Sequence, residues 1–162
     1  MSKANALWNI QSRSTFAADL IVEEFKRRLI VPNSTRWNST YDAVMVLVEF
    51  FDKDKRAVQR VMLQLKLVAF TDIEIEFLKE YGVIMSSVSK ALNFIQGEEQ
   101  AYFGCLLPTI VSTMIKLSTA KGKGLVYCEP LVDALLAGLQ KRFNHLFEDQ
   151  ECQLAAAFHP KW

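Results

Sequence analysis

Histidine, cysteine and acidic side chains are the groups of this chain that could act as nucleophiles, bases or metal ligands. His145, Cys152 and His159 form an H-x6-C-x6-H series. Zinc ligands that come from one segment are usually separated by two to five residues, so this spacing does not predict a metal site. We interpret the series as a histidine on a helix and a chain-end turn before Pro160.

The acids and the one glycine-rich lysine segment also lack a catalytic arrangement. Asp19, Asp42, Asp72 and Asp133 all fall within or at the start of predicted helices, where carboxylates cap backbone N–H groups or face solvent. Lys121-Gly-Lys-Gly124 could cradle a phosphate, but it lacks the spacing and the Ser/Thr of a P-loop, which favours a solvated linker. We predict no cofactor, no metal and no enzymatic activity for this chain by itself.

The polar connector 32–38, between two apolar segments, offers another kind of chemistry. It places Arg36 beside Trp37, with Thr35 and Asn38 flanking the pair. An indole stacks on an unpaired base for about 1 to 3 kcal/mol, and a guanidinium can clamp a phosphate through two parallel hydrogen bonds. Hydroxyl and amide groups beside them are typical donors to phosphates and sugars. The alternative is that Trp37 covers the core as a lid and Arg36 pairs with an acid.

The bulk composition is that of a folded protein with little net charge. The chain has 162 residues, 51% of them hydrophobic, with 19 basic and 18 acidic side chains. Such a length suits one domain that buries roughly 70% of its unfolded surface. Because the charges nearly cancel, contact with DNA would require a local basic patch.

The cysteines and the apolar segments of the chain predict its cellular location and its relation to membranes. Cys105, Cys128 and Cys152 are odd in number and lack a C-x-x-C pair, which predicts reduced thiols in an intracellular protein. The first residues do not show a basic start followed by an apolar block. No segment reaches the roughly 18 uncharged apolar residues that a membrane span needs, so we predict no membrane partner.

Hydrophobic periodicity predicts helices almost throughout and no strand of useful length. We therefore predict an all-α bundle of six to seven helices in a single domain, 1–162: residues 1–31 lead in as a helix, 32–38 form the connector and 39–162 form the bundle. The expected helical segments are 15–29, a segment from Asn38 or Ser39, a third after the charged corner 52–60, then 73–95, 106–117, one from Glu129-Pro130, and a short turn within 153–162.

Local signals set several expected boundaries. Thr71 and Glu74 form a capping box for the long fourth segment, and Gly97 ends it. Val31-Pro32 is expected to stop the first segment, whose apolar stripe is predicted to include Phe16.

Three segments resemble the hAT superfamily of DNA transposases and the host genes derived from it. Residues 32–42, PNSTRWNSTYD, resemble that family's block TRWNSTYDM. CEPLVDALLAGLQKRF (128–143) and LAAAFHPKW (154–162) are similar to a family helix ending in K-R-F that leads to an A-x-x-L-D-P-R-F-K stretch. Residues 106–109, LLPT, are similar to a third signature. His159 and Trp162 stand where the family more often has Asp and Phe.

The resemblance implies both an architecture and a role. In these transposases an all-helical insertion interrupts a ribonuclease H-like core between the second Asp and the Glu of its metal site, and this chain looks like that insertion. The catalytic acids, the BED-type zinc finger and the dimerisation segment have no counterpart here. The family role implied for Trp37 is to stack on a base at the transposon flank, with Arg36 holding phosphate. Binding to DNA and a nuclear location are the corresponding expectations. The alternative is a helical scaffold without DNA binding, which uses an exposed apolar groove, for example beside the helix predicted at 73–95, to bind a protein partner or a second copy of itself.

Overall fold

The computed structural model describes residues 1–33, 36, 38–97 and 102–158, and these ranges are helical without a β-strand. The predicted all-α class is confirmed. The seven α-helices of the described chain are α1 (Ser2–Arg13), α2 (Thr15–Phe25), α3 (Ser39–Gln64), α4 (Asp72–Gln96), α5 (Leu106–Gly122), α6 (Glu129–Phe143) and α7 (Gln150–Ala157), with short 3₁₀ turns at Phe103–Cys105 and Asn144–Phe147.

Contacts divide the chain into two compact units, Met1–Gly82 and Val83–Trp162. Helix α4 contributes residues to both units. The expectation that 1–162 forms a single domain stays a prediction.

The segment expected as one leading helix over 1–31 is two helices. Ser14 is extended (φ −129, ψ 117), which ends α1, and its hydroxyl accepts the Ala17 N–H, which caps α2. Helix α2 then ends at Phe25, before Val31-Pro32, because Lys26 adopts a left-handed conformation (φ 58).

The apolar stripe expected on α2 is also partly wrong. Phe16 is 66% exposed, and the residues that α2 buries are Ala17, Ala18, Ile21 and Phe25. Because α2 begins after Ser14, its buried face does not continue the face of α1. Phe16, in the first turn of α2, lies on the exposed side of the helix.

The core of the first unit is apolar and aromatic. Phe25 stacks on Phe50 with ring centroids 4.1 Å apart, and Phe51 meets Phe70 edge to face at 5.1 Å. Trp8 is only 2% exposed. Each such buried large side chain stabilises the fold by roughly 1.5 to 3 kcal/mol, so this core holds α1, α2 and α3 in fixed positions.

The charged corner expected at 52–60 is a break inside α3. Asp54 has non-helical angles (φ −156, ψ 92) and its carboxylate accepts the Ala57 N–H at 3.0 Å, which restarts the helix. The segment after the corner ends at Gln64, and Val68, expected in its apolar stripe, is 72% exposed.

The capping box of α4 is confirmed. The Thr71 N–H donates to the Glu74 carboxylate at 2.8 Å, and the Glu74 N–H donates to the Thr71 hydroxyl at 3.3 Å. Helix α4 ends at Gln96, immediately before Gly97, as predicted.

In the second unit, α5 extends past the expected end at Leu117 to Gly122. The interpretation of 120–124 as a linker is therefore wrong for its first residues, because Lys121 Nζ lies 2.6 Å from the Asp133 carboxylate and 3.4 Å from that of Glu129, which ties α5 to α6. Helix α6 begins at Glu129, with Pro130 in its first turn, as predicted. Its only fully buried residue is Val132.

Candidate nucleic-acid interface

Two backbone turns shape the described part of the connector. The Arg36 N–H donates to the Asn33 carbonyl at 3.3 Å, and the Arg36 carbonyl accepts the Ser39 N–H at 3.1 Å. The Ser39 hydroxyl also donates to the Asn33 carbonyl, at 2.5 Å. These bonds fix the backbone of Arg36 directly ahead of α3, so its side chain starts from a defined position.

Helix α3 begins at Ser39 with Asn38 as its N-cap residue, which confirms the predicted start. The Asn38 carbonyl accepts the Asp42 N–H at 2.9 Å, the first bond of the helix. The Ser39 hydroxyl donates to the Asn33 carbonyl, which ties the first residue of α3 to the connector. Asn38 is half-buried at the helix start.

Arg36 is exposed, and its guanidinium forms no ion pair with any residue in the ranges that the structure describes. The alternative in which Arg36 pairs with an acid therefore finds no partner among those residues. Trp37 and Thr35 lie outside the described residues, so stacking by Trp37 stays a prediction. Of the four predicted site residues, the structure places Arg36 and Asn38.

A buried glutamine fixes the chain where it enters the connector. Gln11, 8% exposed, donates from its amide nitrogen to the Leu29 carbonyl at 3.0 Å and accepts the Leu29 N–H at 2.9 Å. This two-point clamp ties the end of α1 to the start of the connector. The role of Gln11 could not be predicted from the sequence, because a single glutamine in an amphipathic helix does not indicate a hydrogen-bond partner far along the chain.

The other candidate groups for chemistry do not converge. His145 is exposed, while Cys152 is buried, and burial together with Asp149 and Glu151 raises the pKa of its thiol. A thiol with a raised pKa carries little thiolate at neutral pH and is a poor nucleophile. His159 lies outside the described residues. Within the described ranges, no group of three His, Cys, Asp or Glu side chains could hold a metal ion.

Two of the acids noted in the sequence, Asp72 and Asp133, form ion pairs with lysines. A hydrogen bond from Lys121 to Asp133 is the main cause that raises the pKa of Lys121, although burial lowers it. Asp72 pairs with Lys55. Lys121 therefore has two carboxylate partners in this structure rather than a phosphate site of its own.

An apolar groove of about 630 Å³ lies within the second unit. Val111 and Ile115 of α5 line it together with Phe147, and Ile115 is 60% exposed. Its position, between α5 and α7, differs from the place beside α4 where an exposed groove was considered. An apolar groove between helices is the shape that accepts an amphipathic helix.

One segment of the described chain, Phe103–Gly122, is long and apolar enough to cross a membrane by length and composition. This segment was not predicted as a membrane span, because Lys116 interrupts its series of uncharged residues. Core helices of water-soluble proteins have the same length and composition, so these two properties do not assign a membrane role.

Comparison of the chain with protein-family models, with curated proteins and with solved structures found no match. The sequence resemblance and the chemistry of the connector residues therefore remain the support for a function of this chain.

Proposed function

We propose that this chain is a non-catalytic helical region of an hAT-type transposase, or of a protein derived from one, and that it contacts DNA in the nucleus through Arg36 and Trp37. The proposal assigns base stacking to Trp37 and phosphate binding to Arg36. Asn38 and Thr35 supply further hydrogen bonds to the backbone of the nucleic acid. No chemical step is assigned to this chain.

The observation that carries the proposal is the state of Arg36. A surface arginine in a protein usually finds a carboxylate if one is within reach, but Arg36 has none among the described residues while two turns hold its backbone. An exposed, unpaired guanidinium on a backbone that two turns hold is suited to two-point binding of a phosphate.

Binding to hairpin DNA with unpaired flanking bases tests the proposal. We expect Trp37→Ala to weaken binding by about 1 to 3 kcal/mol, since the stacked base loses its platform. Trp37→Phe should retain part of the affinity. We expect Arg36→Gln to reduce the slope of log K against log salt by roughly 0.7 to 0.9, the change for one phosphate contact. Fluorescence anisotropy at several salt concentrations measures both effects.

The matched control is Arg56→Gln. Arg56 is an exposed arginine of α3, it also lacks an ion pair with the described residues, and the proposal gives it no contact with DNA. Parental affinity and salt slope in both connector variants would remove Arg36 and Trp37 from nucleic-acid binding.

The apolar groove of the second unit favours a second candidate function, a helical scaffold without DNA binding that docks a second copy of the chain. The groove exposes Ile115. The chain itself offers apolar side chains to fill it, since Leu154 and Phe158 at α7 are 58% and 82% exposed. This function requires self-association and no dependence on DNA.

A further inference from the structure

A polar groove of about 340 Å³ opens in the first unit where α1 ends and α2 begins. Arg13 is in the last turn of α1, Ser14 and Thr15 are at the junction, and Arg28 follows α2; all four line the groove, as does Asp19. The sequence does not indicate that these arginines share a site, because Arg13 and Arg28 belong to no recognised motif. In the structure both line one groove beside the turn at Ser14.

Arg13 and Arg28 both have guanidinium groups at the groove that are unpaired within the described part of the chain. Both are exposed, and neither forms an ion pair with a residue in the described ranges. The neighbouring Arg27, by contrast, is bonded to Glu49 at 3.0 Å. The groove therefore holds two arginines against one aspartate, and their guanidinium groups are available to an anion.

The start of α2 adds to this positive potential. Its first turn contains no acidic residue, so the partial positive charge of the helix N-terminus is not neutralised there. Thr15 adds a hydroxyl at the first position of the helix. Backbone and hydroxyl donors beside two arginines are the donor set that binds phosphate oxygens.

An exposed aromatic side chain distinguishes this groove from a simple anion site. Phe16 directly follows Thr15 and is 66% exposed. Consecutive Cα atoms are about 3.8 Å apart, so the backbone of Phe16 lies next to Thr15, which lines the groove. Basic residues that follow the backbone, together with aromatic rings for the bases, are typical of proteins that bind single strands.

The groove and the connector are close along the chain. Arg28 precedes Leu29, which Gln11 clamps to the end of α1 through two hydrogen bonds of 3.0 and 2.9 Å. Arg36 lies seven positions after Leu29, and this length of chain spans at most about 25 Å when fully extended. A nucleic-acid strand that spans this distance can contact both places.

We propose that Arg13 and Arg28, with Thr15, bind backbone phosphates of a single-stranded nucleic acid whose base stacks on Phe16, as a second contact beside the connector. The inference rests on the proposed nucleic-acid function and extends it to a strand that leaves the Arg36–Trp37 contact. Asp19 favours a phosphodiester with one charge over a free phosphate with two, because the aspartate repels the second charge.

A labelled oligothymidine of about ten nucleotides, titrated at about 50 to 200 mM salt, tests the groove. We expect the double variant Arg13→Gln, Arg28→Gln to reduce the slope of log K against log salt by about 1.4, the change for two contacts with a single strand. Phe16→Ala should weaken binding at every salt concentration without changing that slope.

Each mutation has a matched control in the same unit. Arg56→Gln removes an exposed arginine outside the groove, and Leu63→Ala removes an apolar side chain that is 76% exposed. Neither should change binding. The far-UV circular dichroism spectrum of each variant measures its helix content. We expect no change, because the substituted residues are exposed.

The outcomes separate this inference from the proposed function. If the double variant has the same slope of log K against log salt as the parent, Arg13 and Arg28 do not bind phosphates and the inference is wrong, even if Trp37→Ala weakens binding. If the double variant has a reduced salt slope while Trp37→Ala binds as the parent does, nucleic acid binds in the groove and the stacking role of Trp37 is wrong. Arginine-dependent binding to vesicles that contain phosphatidylserine, without binding to the oligonucleotide, assigns the groove to lipid and also overturns the inference.

Discussion

At the scale of single residues, the arginines divide into two groups with different consequences. Arg27 and Arg60 are held by carboxylates of neighbouring helices, and exposed pairs of this kind contribute roughly 0 to 1 kcal/mol to stability. Arg13, Arg28 and Arg36 have no such partner among the described residues. Their replacement by glutamine should therefore change binding rather than folding.

Glu74 gives a pH dependence whose sign follows from its contacts. Burial raises the pKa of its carboxyl, but hydrogen bonds from Lys3 at 2.6 Å and from Thr71 outweigh burial, and the pKa lies below its ordinary value. A carboxyl with a lowered pKa in the folded state stabilises the fold above its unfolded pKa of about 4.3. That contribution is lost as the pH falls through the folded-state pKa.

We therefore expect Glu74→Gln to lower the free energy of unfolding at neutral pH, and the difference from the parent to shrink below about pH 4. Urea denaturation of both proteins between about pH 3 and 7 measures this. A difference that is the same at every pH would show that the charge of Glu74 does not contribute.

At the scale of the elements, the sequence predicted those boundaries that short-range chemistry sets. Thr71 with Glu74, Pro130, and the start of α3 at Ser39 were found because each signal lies within four residues of the boundary it marks. The break at Ser14 was missed, although Ser14 is a good N-cap residue, because the apolar pattern around it continues. The two turns at Arg36 could not be predicted, because they depend on hydrogen bonds that involve Asn33 and Ser39 at the same time.

The groove between α5 and α7 carries the prediction that separates the two candidate functions. If the chain is a scaffold that docks a second copy, sedimentation velocity at several concentrations should show self-association, and Ile115→Glu should abolish it, because a buried unpaired carboxylate is costly. Ile73→Glu is the matched control, since Ile73 is 61% exposed and lies in the other unit. A monomer at all concentrations would contradict the scaffold.

At the scale of the whole molecule, the two units differ in how completely they bury their apolar residues. The first unit has a continuous core from Ala4 to Leu78, which supports the connector and the polar groove. In the second unit α6 buries fully only Val132, and Phe103 and Ile115 are 56% and 60% exposed. The sequence predicted the helices of both units but not this difference, because helical periodicity identifies an apolar face without saying what covers it.

The most direct test of the central claim is photochemical cross-linking of the whole chain to a DNA hairpin that carries 5-iodouracil in its unpaired flank. Irradiation joins the modified base to an aromatic ring that stacks on it, and cleavage by trypsin after Arg36 and Lys53 isolates Trp37 in the peptide 37–53. The account predicts an adduct on Trp37, localised by fragmentation mass spectrometry and lost in Trp37→Ala. Adducts that lie only at other positions, or that persist unchanged in Trp37→Ala, would contradict it.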